Sequence, residues 1–150
     1  MTVPTLTLRI IGRDLPGRTC AGHRDVHVAL QVGPDPVGAV PGDAPEAVFT
    51  TEVRMTRAPS GEPDFTGPAV HGRRGGRFLY LTWGESADGR FAMFRRAKLL
   101  LGDLPPEARA AAEATGAALE ARLSLTAPDG TPWCASVRPP AVVWEVAQPR

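Results

Sequence analysis

The sequence predicts a mainly β fold with some α: an antiparallel sheet, barrel-like or sandwich, of seven or eight strands with one helix near 104–115. Three observations predict it. Sixteen Gly and sixteen Pro interrupt the 150 residues, which favours short strands and turns over long helices. Several stretches alternate apolar and polar residues with period two. One alanine-rich stretch carries the start and stop signals of a helix. At this length the chain is expected to form a single domain, 1–150, around one core. Its 43% hydrophobic and 22% charged residues exclude wholesale disorder, a coiled coil and a collagen-like repeat.

Thr5-Leu-Thr-Leu-Arg-Ile-Ile11 alternates and reads as the first strand, closed by Gly12 and the turn-rich Asp14-Leu-Pro-Gly-Arg18. In Asp25–Val32 the residues Val26, Val28, Leu30 and Val32 share one face, and His23, Asp25, His27, Ala29 and Gln31 the other. Val37–Pro45 reads as a loop or short edge. Glu46–Arg57 is a third strand with Phe49, Thr51, Val53 and Met55 on one side. Residues 58–76 form the longest irregular stretch, ending in His71-Gly-Arg-Arg-Gly-Gly76, and a loop that long is usually functional.

Arg77–Gly84 and Arg90–Leu101 read as a hairpin around Ser86-Ala-Asp-Gly89. An even-numbered loop puts Leu79, Leu81 and Trp83 with Ala92, Phe94, Arg96 and Lys98. Phe78, Tyr80 and Thr82 then join Phe91, Met93, Arg95 and Ala97, with both faces largely apolar. Asp103-Leu-Pro-Pro-Glu107 starts the helix, with Asp103 as N-cap, and Gly116 ends it at C′. Leu119–Thr126 and Thr131–Val137 form a second hairpin, and Ala141–Val146 closes the chain.

Sixteen Arg stand beside a single lysine, Lys98, and with abundant Ala, Gly and Pro this points to a GC-rich bacterial gene. The net charge of +1 gives no overall steering toward nucleic acid or membrane. Its distribution is uneven: residues 71–98 hold seven basic groups against two acidic ones. The N-terminus lacks the basic and apolar regions of a secretory signal. No apolar run approaches the roughly 18 residues that span a bilayer. A cytoplasmic protein with reduced Cys20 and Cys134 is expected, with a disulfide between them left open.

Motifs that carry chemistry are weak. His23-x-Asp25-x-His27 places three metal-type ligands on one strand face, but a polar sheet face explains it as well, so no metal and no cofactor are expected. His71-Gly-Arg-Arg-Gly-Gly-Arg77 lacks the order of either phosphate-binding glycine motif. What it retains is a glycine-rich loop with three guanidiniums, able to clamp carboxylate or phosphate. Cys134 has no activating surroundings, and there is no GxSxG elbow. Phe78, Tyr80, Phe91 and Phe94 near Arg77, Arg95 and Arg96 partly fit the interleaving of aromatic and basic residues in nucleic-acid modules. With only nine aromatics in the chain, assignment of most of them to the core makes a nucleic-acid partner the weaker expectation.

Several stretches together carry a resemblance: Arg9-Ile-Ile-Gly-Arg-Asp-Leu-Pro-Gly17, Val40-Pro-Gly-Asp-Ala-Pro45, Val70-His-Gly-Arg-Arg-Gly-Gly-Arg-Phe-Leu-Tyr-Leu-Thr-Trp-Gly84, Met93-Phe-Arg-Arg-Ala-Lys98 and Cys134-Ala-Ser-Val-Arg-Pro-Pro140. The chain resembles a family of bacterial proteins of about this length, classed only as a domain of unknown function. The resemblance implies an intact cytosolic domain and assigns no catalytic residue.

The leading functional expectation is a small-molecule-binding protein that holds a polar or anionic organic compound in a barrel cavity. An accessory enzyme of secondary metabolism is one form of it. The ligand-binding candidates are His71, Arg73, Arg74, Tyr80, Arg95 and His27, with the 58–76 loop as lid. Arg95 is expected among Phe78, Tyr80, Phe91 and Met93. The alternative is a non-catalytic interaction module that offers the basic 71–98 segment to an acidic protein or nucleic acid. No membrane partner is expected, and the oligomeric state, a homodimer included, is left open.

Overall fold

The structure is a computed structural model that describes residues 5–15, 26–57, 59–87, 90–125 and 142–146, and of 85–87 and 90–95 the backbone alone. Nine strands and one α-helix are found among them: β1 (Thr5–Arg13), β2 (Val26–Val32), β3 (Asp35–Pro41), β4 (Glu46–Arg57), β5 (Pro63–Thr66), β6 (Phe78–Ala87), β7 (Arg90–Leu100), α1 (Pro106–Thr115), β8 (Leu119–Ser124) and β9 (Val142–Val146). They build a five-stranded sheet in the order β5-β4-β1-β8-β9 and a four-stranded sheet in the order β3-β2-β6-β7. All neighbours run antiparallel except β1 and β8. Of the expected forms, barrel-like or sandwich, a closed barrel is not found among the described residues, where each sheet ends in two edge strands.

Period-two patterning sets which faces are buried. In β1, Leu6, Leu8 and Ile10 point inward; in β4, Ala47, Phe49, Thr51, Val53 and Met55 do. Val26, Val28 and Leu30 of β2 meet Leu79, Leu81 and Trp83 of β6 in the same core, which draws on both sheets. Most of the side chains described in this interior are fully buried.

Helix α1 is capped two residues later than expected, at Pro105 instead of Asp103. Asp103 lies in a 3₁₀ turn (Leu101–Asp103), and Pro105 takes the cap position, its φ of −60° already suited to a helix start. Gly116 closes the helix as expected: at φ 72° its N–H donates to the Ala112 carbonyl. β8 finds its partners in β1 and β9. The expected second arm at 131–137 lies outside the described residues. Among those residues no helix is long and apolar enough to cross a membrane.

The β6–β7 hairpin departs from expectation in its facing. Ala87 pairs with Arg90 across a two-residue loop, and the register runs evenly to Gly84 opposite Met93. It then slips by one residue, so that Trp83 stands opposite Arg95. A one-residue bulge reverses the facing of everything beyond it. Ala97 and Leu99 therefore join Leu81 and Leu79 in the core, while Arg96 and Lys98 share the outer face with Thr82 and Tyr80.

Candidate functional site

That outer face gathers the unusual chemistry of the molecule. Leu79, Leu81 and Trp83 satisfy the core from β6, so the alternate residues Phe78 and Tyr80 are left half-buried on the outside. Their rings meet edge to face with centroids 4.6 Å apart. His71 joins them from the preceding loop: its backbone exchanges two hydrogen bonds with Phe78, at 2.8 and 3.1 Å. The imidazole stacks on Phe78 with centroids 5.9 Å apart and an interplanar angle of 17°, and lies 5.1 Å from Tyr80. Its Nε2 is 3.4 Å from the Gln31 carbonyl of β2. From the edge strand β7, the exposed Arg96 guanidinium lies 4.8 Å from the Tyr80 ring centroid, and the exposed Lys98 ammonium 4.5 Å from that of Phe78.

A latch holds the loop that carries His71. Arg77 Nε donates to Asp64 Oδ1 at 3.0 Å and Nη2 to Oδ2 at 3.4 Å, a two-pronged grip on β5. Arg77 Nη1 donates to the Gly72 carbonyl, and the Gly76 N–H to that of Arg73. The Arg77 hydrogen bond holds the Asp64 carboxyl below its ordinary value against the opposing effect of burial, with help from the Phe65 N–H and the charges of Arg77 and Arg74. Asp64 in turn raises the Arg77 guanidinium. Beside the latch lies an open cleft of about 430 Å³, lined by Glu62, Asp64, Gly76, Arg77, Leu100 and Asp103 among others.

Of the ligand-binding candidates, the structure brings His71 and Tyr80 together. Arg73 and Arg74 are exposed on the same loop, with Arg74 3.8 Å from Asp64. His27 stands opposite Gly84 and Pro41, four residues along β2 from Gln31 and away from the ring cluster. Arg95 pairs with Trp83 and so leaves the register face of Phe78 and Tyr80 on which it was expected, because of the bulge, and its side chain lies outside the described residues. So do His23, Asp25, Cys20 and Cys134. Among the described residues no group of three or more His, Cys, Asp or Glu could hold a metal ion.

The ligand-binding candidates omit Phe78, Arg96 and Lys98, of which Phe78 and Arg96 enter only the weaker nucleic-acid pattern. A signal was present in the stronger apolarity of Leu79, Leu81 and Trp83 beside Phe78, Tyr80 and Thr82. Asp64 was missed because its partner is thirteen residues away across a stretch read as irregular.

A family described as Family of unknown function (DUF5990) matches residues 6–147, nearly the whole chain. The chain belongs to the DUF5990 family. No curated protein and no solved structure matches it. In this DUF5990 protein the Val70–Gly84 stretch, which carries much of the sequence resemblance, contributes His71, Arg77, Phe78 and Tyr80 to the face and its latch.

Proposed function

We propose that the protein is a non-catalytic interaction module whose working surface is the outer face of the four-stranded sheet, and that it binds an anionic partner. One observation carries this reading: Arg96 and Lys98 lie over the rings of Tyr80 and Phe78, and among the described residues neither pairs with a carboxylate. A cation on a ring keeps its charge available to an incoming anion, whereas an ion pair neutralises it. The two open-edged sheets among the described residues weigh against the barrel-cavity form of small-molecule binding. A small polar ligand remains a second reading for one reason, the open cleft beside Arg77.

The test is retention on a heparin column at low salt. The Arg96→Gln/Lys98→Gln double variant should elute at clearly lower salt than the parent. Arg54→Gln, an exposed charge on the five-stranded sheet, should shift elution much less. Equal shifts per charge removed, or no retention of the parent, would overturn the reading.

A further inference from the structure

Resting on that reading, we infer that the partner is a single-stranded nucleic acid whose bases stack on Phe78, Tyr80 and His71 and whose phosphates meet Arg96 and Lys98. The face supplies two chemistries together. Three half-buried rings with centroids 4.6–5.9 Å apart form an aromatic platform of differently tilted faces, bordered by Leu100, which stands opposite Phe78 and is 43% exposed. A base reaches the Tyr80 and Phe78 faces when the exposed Arg96 and Lys98 side chains swing from them onto phosphate. Unpaired bases stack on such platforms regardless of sequence, since every base has a π face. Paired bases in a duplex spend those faces on one another. An acidic peptide would engage the two cations and leave the rings unused.

Geometry orients the strand. Arg96 and Lys98 are two residues apart on one strand, so their Cα atoms stand about 6.8 Å apart, close to the spacing of adjacent phosphates on one chain. Both sit on edge strand β7, one strand over from the rings, so the sugar–phosphate chain runs along β7 with its bases turned inward over β6. Among the described residues no Asp or Glu occupies a register position on this face. The opposite sheet has the contrary arrangement, with Arg9 and Arg122 both paired to Glu120. Arg73, exposed two residues along the loop from His71, adds a further positive charge.

The experiment is fluorescence anisotropy with a labelled oligouridylate of about twelve nucleotides, within the usual span of such sites. The comparisons are a duplex of similar length and a polyglutamate peptide. Binding is expected for the single strand above both. Two neutralised phosphates give a slope of log K against log salt of about −1.4, and Arg96→Gln or Lys98→Gln should each remove about 0.7 of it. Tyr80→Leu and Phe78→Leu should each weaken binding about tenfold with the slope unchanged. Thermal melting checks that each variant folds, and the exposed Lys98→Gln keeps the test open if a ring variant does not. Polyglutamate or duplex bound as tightly as the single strand, with Tyr80→Leu without effect, overturns the nucleic-acid proposal and leaves the anion-binding face standing. Binding to none of the three probes overturns both.

Discussion

Lys98 stands across the β6–β7 ladder from Tyr80, yet its ammonium lies 4.5 Å from the ring centroid of Phe78. Arg96 makes the same diagonal step: opposite Thr82, it lies over Tyr80. Both side chains lean toward Leu100, each one pair further along the ladder. Diagonal neighbours on one sheet face are within reach of long side chains and rings. The repeat of the step lays the two cations and two rings in one oriented row, with His71 beside it.

This row has a measurable strength. An exposed cation–π contact contributes about 0.5–1 kcal/mol. A double-mutant cycle of Lys98→Met and Phe78→Leu, read by denaturant unfolding, should return a coupling of about that size. Lys98→Arg should preserve it. A coupling indistinguishable from zero would show that the ammonium is fully solvated and merely passes near the ring.

The Asp64–Arg77 latch predicts an acid sensitivity. Arg77 holds the Asp64 carboxyl below its ordinary 3.8 in the fold, so at acid pH the native state binds fewer protons than the unfolded chain. The stabilisation is complete above 3.8 and is lost as pH falls through the lowered native value. Asp64→Asn should therefore lower the melting temperature at neutral pH, with the gap to the parent closing below about pH 4. Parallel melting curves of the two proteins from neutral pH down to pH 2 would contradict this.

Gly72 and Gly75 share the latch loop and both have positive φ, 90° and 88°. Their surroundings differ. A Cβ on Gly75 meets nothing within 4 Å, while one on Gly72 would lie 2.6 Å from the Gly76 carbonyl oxygen and 2.9 Å from the Phe78 ring. Gly75→Ala should cost only backbone strain, about 1–2 kcal/mol. Gly72→Ala should cost more and displace Phe78, visible as shifted Phe78 and His71 ring resonances. Equal costs for the two would mean that the loop relaxes freely away from the sheet.

Where one pattern dominates, the sequence was legible. β4 alternates without interruption and its bounds follow directly; β1 and β9 read nearly as well. β3 and β5 were obscured by Pro36, Pro41 and Pro63, which a central strand could not accept. Both are edge strands, where a missing N–H is tolerated. The facing of Arg96 and Lys98 was unreadable for a different reason. It depends on a one-residue slip between Trp83 and Gly84, and no local residue pattern announces that slip. Since the slip decides which cations meet which rings, half of the candidate site was hidden behind it.

The outer face of the five-stranded sheet gives the last prediction. Glu120 stands directly opposite Glu145, a pairing of like charges that would be unfavourable alone. Arg122 resolves it by donating Nη2 to Glu120 and Nη1 to Glu145, each at 2.8 Å, while Arg9 reaches Glu120 from the other side at 3.3 Å. The two carboxylates differ in burial: the Glu120 side chain is 8% exposed and that of Glu145 52%. Loss of Glu145 leaves Arg122 its better-buried partner, so Glu145→Ala should cost under about 1 kcal/mol. Arg122→Ala leaves the buried Glu120 facing Glu145 with only the longer Arg9 contact, and should cost about 1–3 kcal/mol. If that cost comes from the stranded carboxylate, Glu120→Leu placed on top of Arg122→Ala should recover much of it in denaturant unfolding. A double variant no more stable than Arg122→Ala would instead assign the loss to the packing of the arginine stem across β1 and β8.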